Sequence, residues 1–191
     1  MAKGKQLKER IEYSGKTFEI VHRPLKVKDR IIRLEVAKRS PGIRLIIVKN
    51  NKILLTKEYR YELKFYDYRL PGGKVFDSLK EYNQNIDKDM MKHAIGAAKK
   101  ECIEETGLIV KNIKHFQTSK AGLTVDWTLY YFIVDKFEKN PAGQQLEHGE
   151  DIEPEWKTFD EAKNLCLNGK ISEDRSVGIL LRFLLKSGKL T

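Results

Sequence analysis

Cysteine is scarce in this chain and long apolar runs are missing. Its 191 residues include only Cys102 and Cys166, too few for a disulfide framework. Both fall inside amphipathic patterns and read as buried thiols in a reducing compartment. No stretch of about 18 apolar residues occurs, which excludes a membrane-spanning helix. Residues 1–8 are basic, but no apolar core follows them, so they do not read as a secretory signal. There is no repeat and no low-complexity tract. The four histidines, His22, His93, His115 and His148, show no metal-ligand spacing. With 40% hydrophobic and 34% charged residues, the chain is polar for a globular protein but too apolar to stay unfolded. A soluble cytoplasmic protein of one domain with an appended element is the expectation.

What is present is unevenly placed. Residues 1–60 hold 17 Lys/Arg against 6 Asp/Glu, whereas residues 61–191 hold 20 against 21. The entire excess of the net +10 charge therefore lies in the first third. A basic segment attracts phosphorylated small molecules, polyanions or acidic partners. Here its lysines and arginines are scattered among Ile, Val and Leu, as on a folded surface rather than on a disordered nucleic-acid arm.

Residues 17–22 and 31–36 are β-branched and read as strands. Residues 44–48 and 53–56 flank Lys49-Asn50-Asn51-Lys52, whose asparagines suit a tight hairpin. The aromatic segment 59–68 leads into Leu70-Pro71-Gly72-Gly73-Lys74-Val75, a fixed turn followed by adaptable backbone. The polar stretch 77–88 reads as a loop. A helix then begins near Asp89, with Met91, Ala94, Ile95, Ala98 and Cys102 on its buried stripe and Gly107 at its end. Residues 110–116 and 128–134 read as strands. Thr158-Phe159-Asp160-Glu161 is a capping box opening a helix that Gly169 closes. Ser172 is expected to cap a last helix that buries Val177, Leu180, Leu181 and Leu184 and ends near Gly188. The interleaving lacks a regular βαβ rhythm, which predicts a mixed α/β fold. Residues 1–40 would form a basic N-terminal β element and residues 41–191 the main domain.

The chemistry concentrates in Lys100-Glu101-Cys102-Ile103-Glu104-Glu105-Thr106-Gly107-Leu108. Glu101, Glu104 and Glu105 stand at i, i+3 and i+4 and share one helix face. Like charges at that spacing repel, and a cation converts the cost into a gain. Hard oxygen ligands suit Mg²⁺, with Mn²⁺ as the alternative. The same pattern taken alone is more often a solvated acidic face.

Context decides between these. The Leu-Pro-Gly-Gly-Lys-Val turn, the acidic helix end and the strand after it resemble a Nudix box: Gly, five residues, Glu, seven residues, then Arg-Glu-apolar-x-Glu-Glu-x-Gly-apolar. Further segments resemble the ADP-ribose and sugar-nucleotide pyrophosphatase branch of that family. They are Lys57-Glu58-Tyr59-Arg60-Tyr61, Ser119-Lys120-Ala121-Gly122-Leu123-Thr124, and Glu150-Asp151-Ile152-Glu153 with Trp156. The resemblance covers residues 15–187. Four features depart from it. Gly73 and Lys100 are 27 positions apart where the family has 14, an insertion of 13 residues around 77–88. The first box glutamate is either missing or replaced by Glu81, Asp87 or Asp89, since position 79 is Leu79 and position 92 is Lys92. Lys100 and Arg69 stand where arginine and glutamate are usual.

The resemblance implies an α/β/α sandwich with a mixed sheet, and N-terminal strands that build a homodimer. It implies a metal-dependent hydrolase cleaving the pyrophosphate bond of a nucleoside diphosphate linked to a sugar, ADP-ribose or a related nucleotide sugar. The alternative is a Nudix-like module that binds nucleotide or nucleic acid with little or no catalysis. On this resemblance Glu101, Glu104, Glu105 and the Gly72 carbonyl hold the metal, and Glu104 is also catalytic. Glu150 is the general base, with Glu147 and Glu153 as rivals. Arg60 and Arg69 hold the diphosphate, since a guanidinium fork fits phosphate oxygens. The base would stack on one of Tyr59, Tyr61, Phe65, Tyr66 and Trp127. Basic side chains such as Lys26, Lys28 and Arg33 would line a pocket shared across the dimer.

Overall fold

Residues 43–47, Ile-Arg-Leu-Ile-Ile, are buried at every position, as befits a strand covered on both faces. The rest of the fold is arranged around that strand. The structure, a computed structural model, describes residues 4–187. In chain order its elements are β1 (Lys5–Gln6), β2 (Arg10–Ser14), β3 (Phe18–Val27), β4 (Arg30–Arg39), β5 (Gly42–Lys49), β6 (Lys52–Arg60), β7 (Phe65–Arg69), α1 (Leu79–Asn85), α2 (Met90–Thr106), β8 (Leu108–Lys120), β9 (Val125–Asp126), β10 (Thr128–Lys139), β11 (Ile152–Thr158), α3 (Phe159–Leu167) and α4 (Asp174–Lys186). The helix end expected near Gly188 lies outside the described residues.

The central sheet runs β11-β6-β5-β10-β8, with β7 also on β6. Its β5–β10 pairing is parallel and its other pairings are antiparallel. On one face Ile43, Leu45, Ile47, Leu54, Phe132 and Val134 pack on Ala94, Ala98 and Cys102 of α2. On the other face Ile46, Ile53, Leu55, Leu129 and Tyr131 pack on α3 and α4 through Phe159, Ala162, Cys166, Ile179, Leu180 and Leu184. Each such side chain contributes roughly 1.5–3 kcal/mol by leaving water. The molecule is thus a mixed α/β fold, an α/β/α sandwich of the expected kind. Both cysteines are free, and burial pushes each thiol up to about 11.

Strand splay makes room for the site. β5 and β6 pair only beside their hairpin, from Lys49–Lys52 to Ile47–Leu54. Asn50 and Asn51 take φ of 49° and 59° there, as the sequence requires. Further along, β7 and the Pro-Gly-Gly segment occupy the gap. Ile43 N–H donates to Gly73 O at 2.9 Å and Leu45 N–H to Pro71 O at 2.8 Å. The Pro-Gly-Gly backbone is therefore pinned along β5 beneath the end of α2.

The N-terminal sheet runs β1-β3-β4-β9, with β2 on β3. It is not made from the first 40 residues alone. β9 joins β4 in parallel through Ala37–Val125 and Lys38–Asp126, and Arg23 donates to Asp126 at 2.6 Å. Only Ser40 and Pro41 separate β4 from β5.

Two local expectations are corrected. The stretch 77–88 is not a plain loop, because Leu79–Asn85 forms α1. Ser78 caps it by accepting from Glu81 N–H at 3.2 Å, and Leu79 is 1% exposed. One buried side chain per two turns left no apolar period to read. Ser172 does not cap α4; the N-cap residue is Glu173, with no side-chain cap bond. The Ser172 hydroxyl and N–H go instead to Asp67, at 2.7 and 2.8 Å.

Candidate active site

Helix α2 sets the acidic side. Asp89 starts it by accepting from Lys92 N–H at 3.2 Å, and Gly107 stops it at φ 65°. With the Ala94/Ala98/Cys102 stripe buried, Glu101 and Glu105 are presented toward the Pro-Gly-Gly backbone. Glu105 accepts from Gly72 N–H at 2.7 Å, and Glu104 pairs with Lys100 at 3.1 Å. Glu101 lies so close to Gly73 that a Cβ there would meet its Oε1 at 2.0 Å. Gly72 has φ 149°, and a Cβ would strike Ile43 O at 2.3 Å. Both glycines are thus fixed by close approach as much as by turn geometry.

Burial drives the electrostatics. The Glu101 carboxyl is pushed up to about 7 by burial, then by the charge of Glu104, with Glu150 and Glu147 adding to it against Lys100. Glu105 is pushed up to about 8 by burial, opposed by the Gly72 N–H and Arg44 and aided by Glu101 and Glu150. Glu147 and Glu150 lie in the exposed loop 141–151, where Glu147 N–H donates to Glu150 Oε2 at 2.9 Å. Glu153 is elsewhere: it sits on β11 opposite Lys57, with the two charged groups 3.4 Å apart.

Among the described residues no three His, Cys, Asp or Glu side chains converge on one point that could hold a metal. The trio shares a helix face as expected, but each carboxylate has gone to its own neighbour, as unscreened like charges do. Even so, the donor set fits a hard divalent cation. It offers three carboxylate groups, two of them pushed up chiefly by burial. It adds the Gly72 carbonyl, which accepts no hydrogen bond among the described residues. None of Glu81, Asp87 and Asp89 pairs with Lys100. The loop acid whose charge bears on Lys100 is Asp77, which spacing did not single out.

Across the Pro-Gly-Gly segment lies a cationic pocket of about 560 Å³. Arg39, Arg44, Arg60, Arg69 and Lys74 line it, against Glu173. Arg60 and Arg69 both line this pocket, together with Gly72 and Gly73. Arg60 is held by Glu58 at 2.8 Å and Glu62 at 2.9 Å, and Arg69 by buried Asp67 at 2.7 Å. Arg44 was missed. It is 8% exposed and grips Glu173 with two nitrogens, at 2.8 and 3.0 Å. Burial works to raise Glu173, but Arg44 and Ser176 overcome it and hold the carboxyl below its ordinary value. An arginine inside an apolar strand was the available signal for this pair.

Of the five aromatic candidates only Trp127 lines this pocket. The guanidiniums of Arg39 and Arg175 each stand 4.1 Å from its ring centroid, so its π surface is already taken. Tyr59 packs edge to face on both Tyr61 and Tyr66, and none of the three lines it. Lys26, Lys28 and Arg33 lie exposed on the β3–β4 hairpin and do not line the pocket of their own chain.

The family model described as NUDIX domain matches residues 38–176. No curated protein matches. Among solved structures the chain is similar to a crystal structure described as an ADP compounds hydrolase, at 13% identity and a TM-score of 0.69, over 98% of this chain and 97% of that one. The matched segment runs from the end of β4 into α4, and so contains the Pro-Gly-Gly turn, the acidic end of α2 and the arginine pocket. By that match the chain belongs to the Nudix family.

Proposed function

We propose that this protein hydrolyses the pyrophosphate bond of a nucleoside diphosphate joined to a second moiety, with ADP-ribose or a related nucleotide sugar as the simplest substrate. The observation that carries this reading is the juxtaposition of three carboxylates on one helix face with an arginine pocket across one glycine pair. The solved neighbour's description as an ADP compounds hydrolase supports it.

Glu101, Glu104, Glu105 and the Gly72 carbonyl would hold Mg²⁺ or Mn²⁺, which when bound supplies charge neutralisation for the diphosphate and acidifies a water. Arg60 and Arg69 would grip the phosphates in a fixed orientation, because Glu58, Glu62 and Asp67 hold their forks in place. Glu150 would take the proton from the attacking water. Its charge already bears on Glu101 and Glu105, and Gly143 and Gly149, both at positive φ, let its loop adjust. Glu147 remains its rival on the same grounds. Position argues against Glu153.

The chain would act as a homodimer through the N-terminal sheet. Ile11, Tyr13, Ile31 and Ile32 are 57, 61, 58 and 46% exposed there, an apolar surface of the kind that marks an interface. Adjacent Ile31 and Ile32 face opposite ways on a strand, so the hairpin end is bare on both sides. The two free thiols fit a reducing cytoplasm. No helix among the described residues is long and apolar enough to cross a membrane.

The test is an assay of purified protein with Mg²⁺ against ADP-ribose, UDP- and GDP-sugars. Turnover that falls about 100-fold or more in Glu104→Gln is expected. Turnover of none of these compounds, or turnover indifferent to that substitution, refutes the reading.

A further inference from the structure

The arginine pocket contains a guanidinium that the fold leaves uncompensated. Arg44, Arg60 and Arg69 each hold a carboxylate. Arg39, the last residue of β4, lines the same pocket and makes no ion pair and no side-chain hydrogen bond among the described residues. Its contacts are with rings: its Cζ stands 4.1 Å from the Trp127 centroid and 5.1 Å from that of Phe18. A ring face attracts and orients a guanidinium but brings no net negative charge to cancel its own. The planar fork is thus held in place with its N–H donors unspent.

A second observation marks the same place as short of negative charge. Arg175 also stands 4.1 Å from the Trp127 centroid, and its Nη1 donates to Trp127 O at 3.1 Å. Its Nη2 is buried and has no hydrogen-bond partner among the described residues, and the same is true of Trp127 Nε1. Buried donors without acceptors are costly. The charge of Glu173 does reach both Arg39 and Arg175, but Arg44 already grips that carboxylate with two nitrogens. Burial, joined by the charges of Arg44 and Arg175, holds the Arg39 guanidinium below its ordinary value. An anion beside Arg39 would offset that repulsion.

Resting on the function proposed above, we infer that Arg39, oriented by Trp127, selects for an acidic group on the moiety beyond the diphosphate. The substrate class is a nucleoside diphosphate joined to an acidic sugar, one that bears a carboxylate or a phosphate monoester. A guanidinium fork matches either anion with two parallel hydrogen bonds. The diphosphate itself is met elsewhere, by Arg60 and Arg69 of the β6–β7 hairpin. Lys74, also without an ion pair among the described residues, follows Gly73 at the glycine pair. The pocket of about 560 Å³ has room for a sugar beside the diphosphate, since small-molecule sites run from roughly 300 to 1,000 Å³. A neutral sugar would leave Arg39 half-buried with no anion, whereas an acidic sugar pairs it, and that difference is what discriminates.

The experiment compares two matched pairs, UDP-glucuronate with UDP-glucose and ADP-ribose 1″-phosphate with ADP-ribose, each pair differing in the acidic group. In wild type the acidic member of at least one pair should have a KM about tenfold below that of its neutral counterpart. The pair that shows this preference tells carboxylate from phosphate. Arg39→Gln should bring the KM ratio of that pair to about one while kcat for the acidic member changes little. Arg39→Lys, which keeps the charge and loses the fork, should retain part of the ratio, about threefold, as a merely structural role would not require. It carries the test if Arg39→Gln folds poorly. A wild-type ratio near one in both pairs, or a ratio that Arg39→Gln leaves in place, overturns the inference. Turnover of the neutral sugars in that case leaves the proposed function standing. Turnover of none of the four compounds removes both.

Discussion

Arg44, Arg60 and Arg69 each arrive at the cleft already paired with an internal acid, whereas Glu101 and Glu105 arrive with little positive charge to meet them. The basic half is finished by the fold: Glu173, Glu58, Glu62 and Asp67 fix where each guanidinium points. The acidic half is left incomplete. Among the described residues its direct partners are a backbone N–H at Gly72 and the exposed Lys100. A site that must hold a phosphate in one orientation gains from pre-paired arginines, because the ordering entropy is spent during folding. A site that must admit a cation gains from carboxylates with no counter-charge. On the function proposed, the difference between the halves separates what the protein would provide from what it would take up.

Removing a built-in partner from the basic half should have the largest effect. Glu173→Ala leaves Arg44 buried and unpaired, and should cost about 3–5 kcal/mol of stability by denaturant titration. A loss near zero would mean that the pair does not hold the β5–α4 junction.

The acidic half should show its incompleteness as a pH dependence. Glu101 and Glu105 sit at about 7 and about 8 in the folded chain, above the ordinary carboxylate value near 4.5. The folded state therefore binds protons that the unfolded state has lost. The stability they confer is full at low pH and is lost as pH rises through 7 to 8. Metal-free protein should melt on the order of 5 °C lower at about pH 8.5 than at about pH 5.5. Glu105→Gln should flatten that slope. A melting temperature that rises over this range would contradict the burial argument.

Arg69 offers the smallest and most selective contrast. Arg69→Ala should raise KM for a nucleotide sugar about tenfold while kcat changes little, since the role proposed for it is to bind rather than react. A fall in kcat at unchanged KM would move Arg69 into the chemistry.

Much of this arrangement was legible in the sequence, for identifiable reasons. The α2 stripe, Gly107, the Asn-Asn hairpin and the Thr158 capping box each rest on a local rule, and each is present. Glu101, Glu104 and Glu105 were legible because helical spacing fixes which residues share a face. Arg44–Glu173 and Asp67–Ser172 were not, because their partners are 129 and 105 positions apart and no local period links them. α1 was hidden by its polar composition. The Ser172 expectation failed because a tertiary acceptor, Asp67, outcompeted the local cap. The splay of β5 from β6, which opens the site, belongs to sheet topology and leaves no local trace in the sequence.

The account depends on Glu101 and Glu105 holding protons that a divalent cation displaces. Calorimetric titration of Mg²⁺ into the protein near pH 7, repeated in buffers of different ionisation enthalpy, measures this directly. Release of about one proton or more per cation bound is predicted, together with its loss in the Glu101→Gln/Glu105→Gln variant. Binding without proton release, or no binding at millimolar Mg²⁺, would contradict the account.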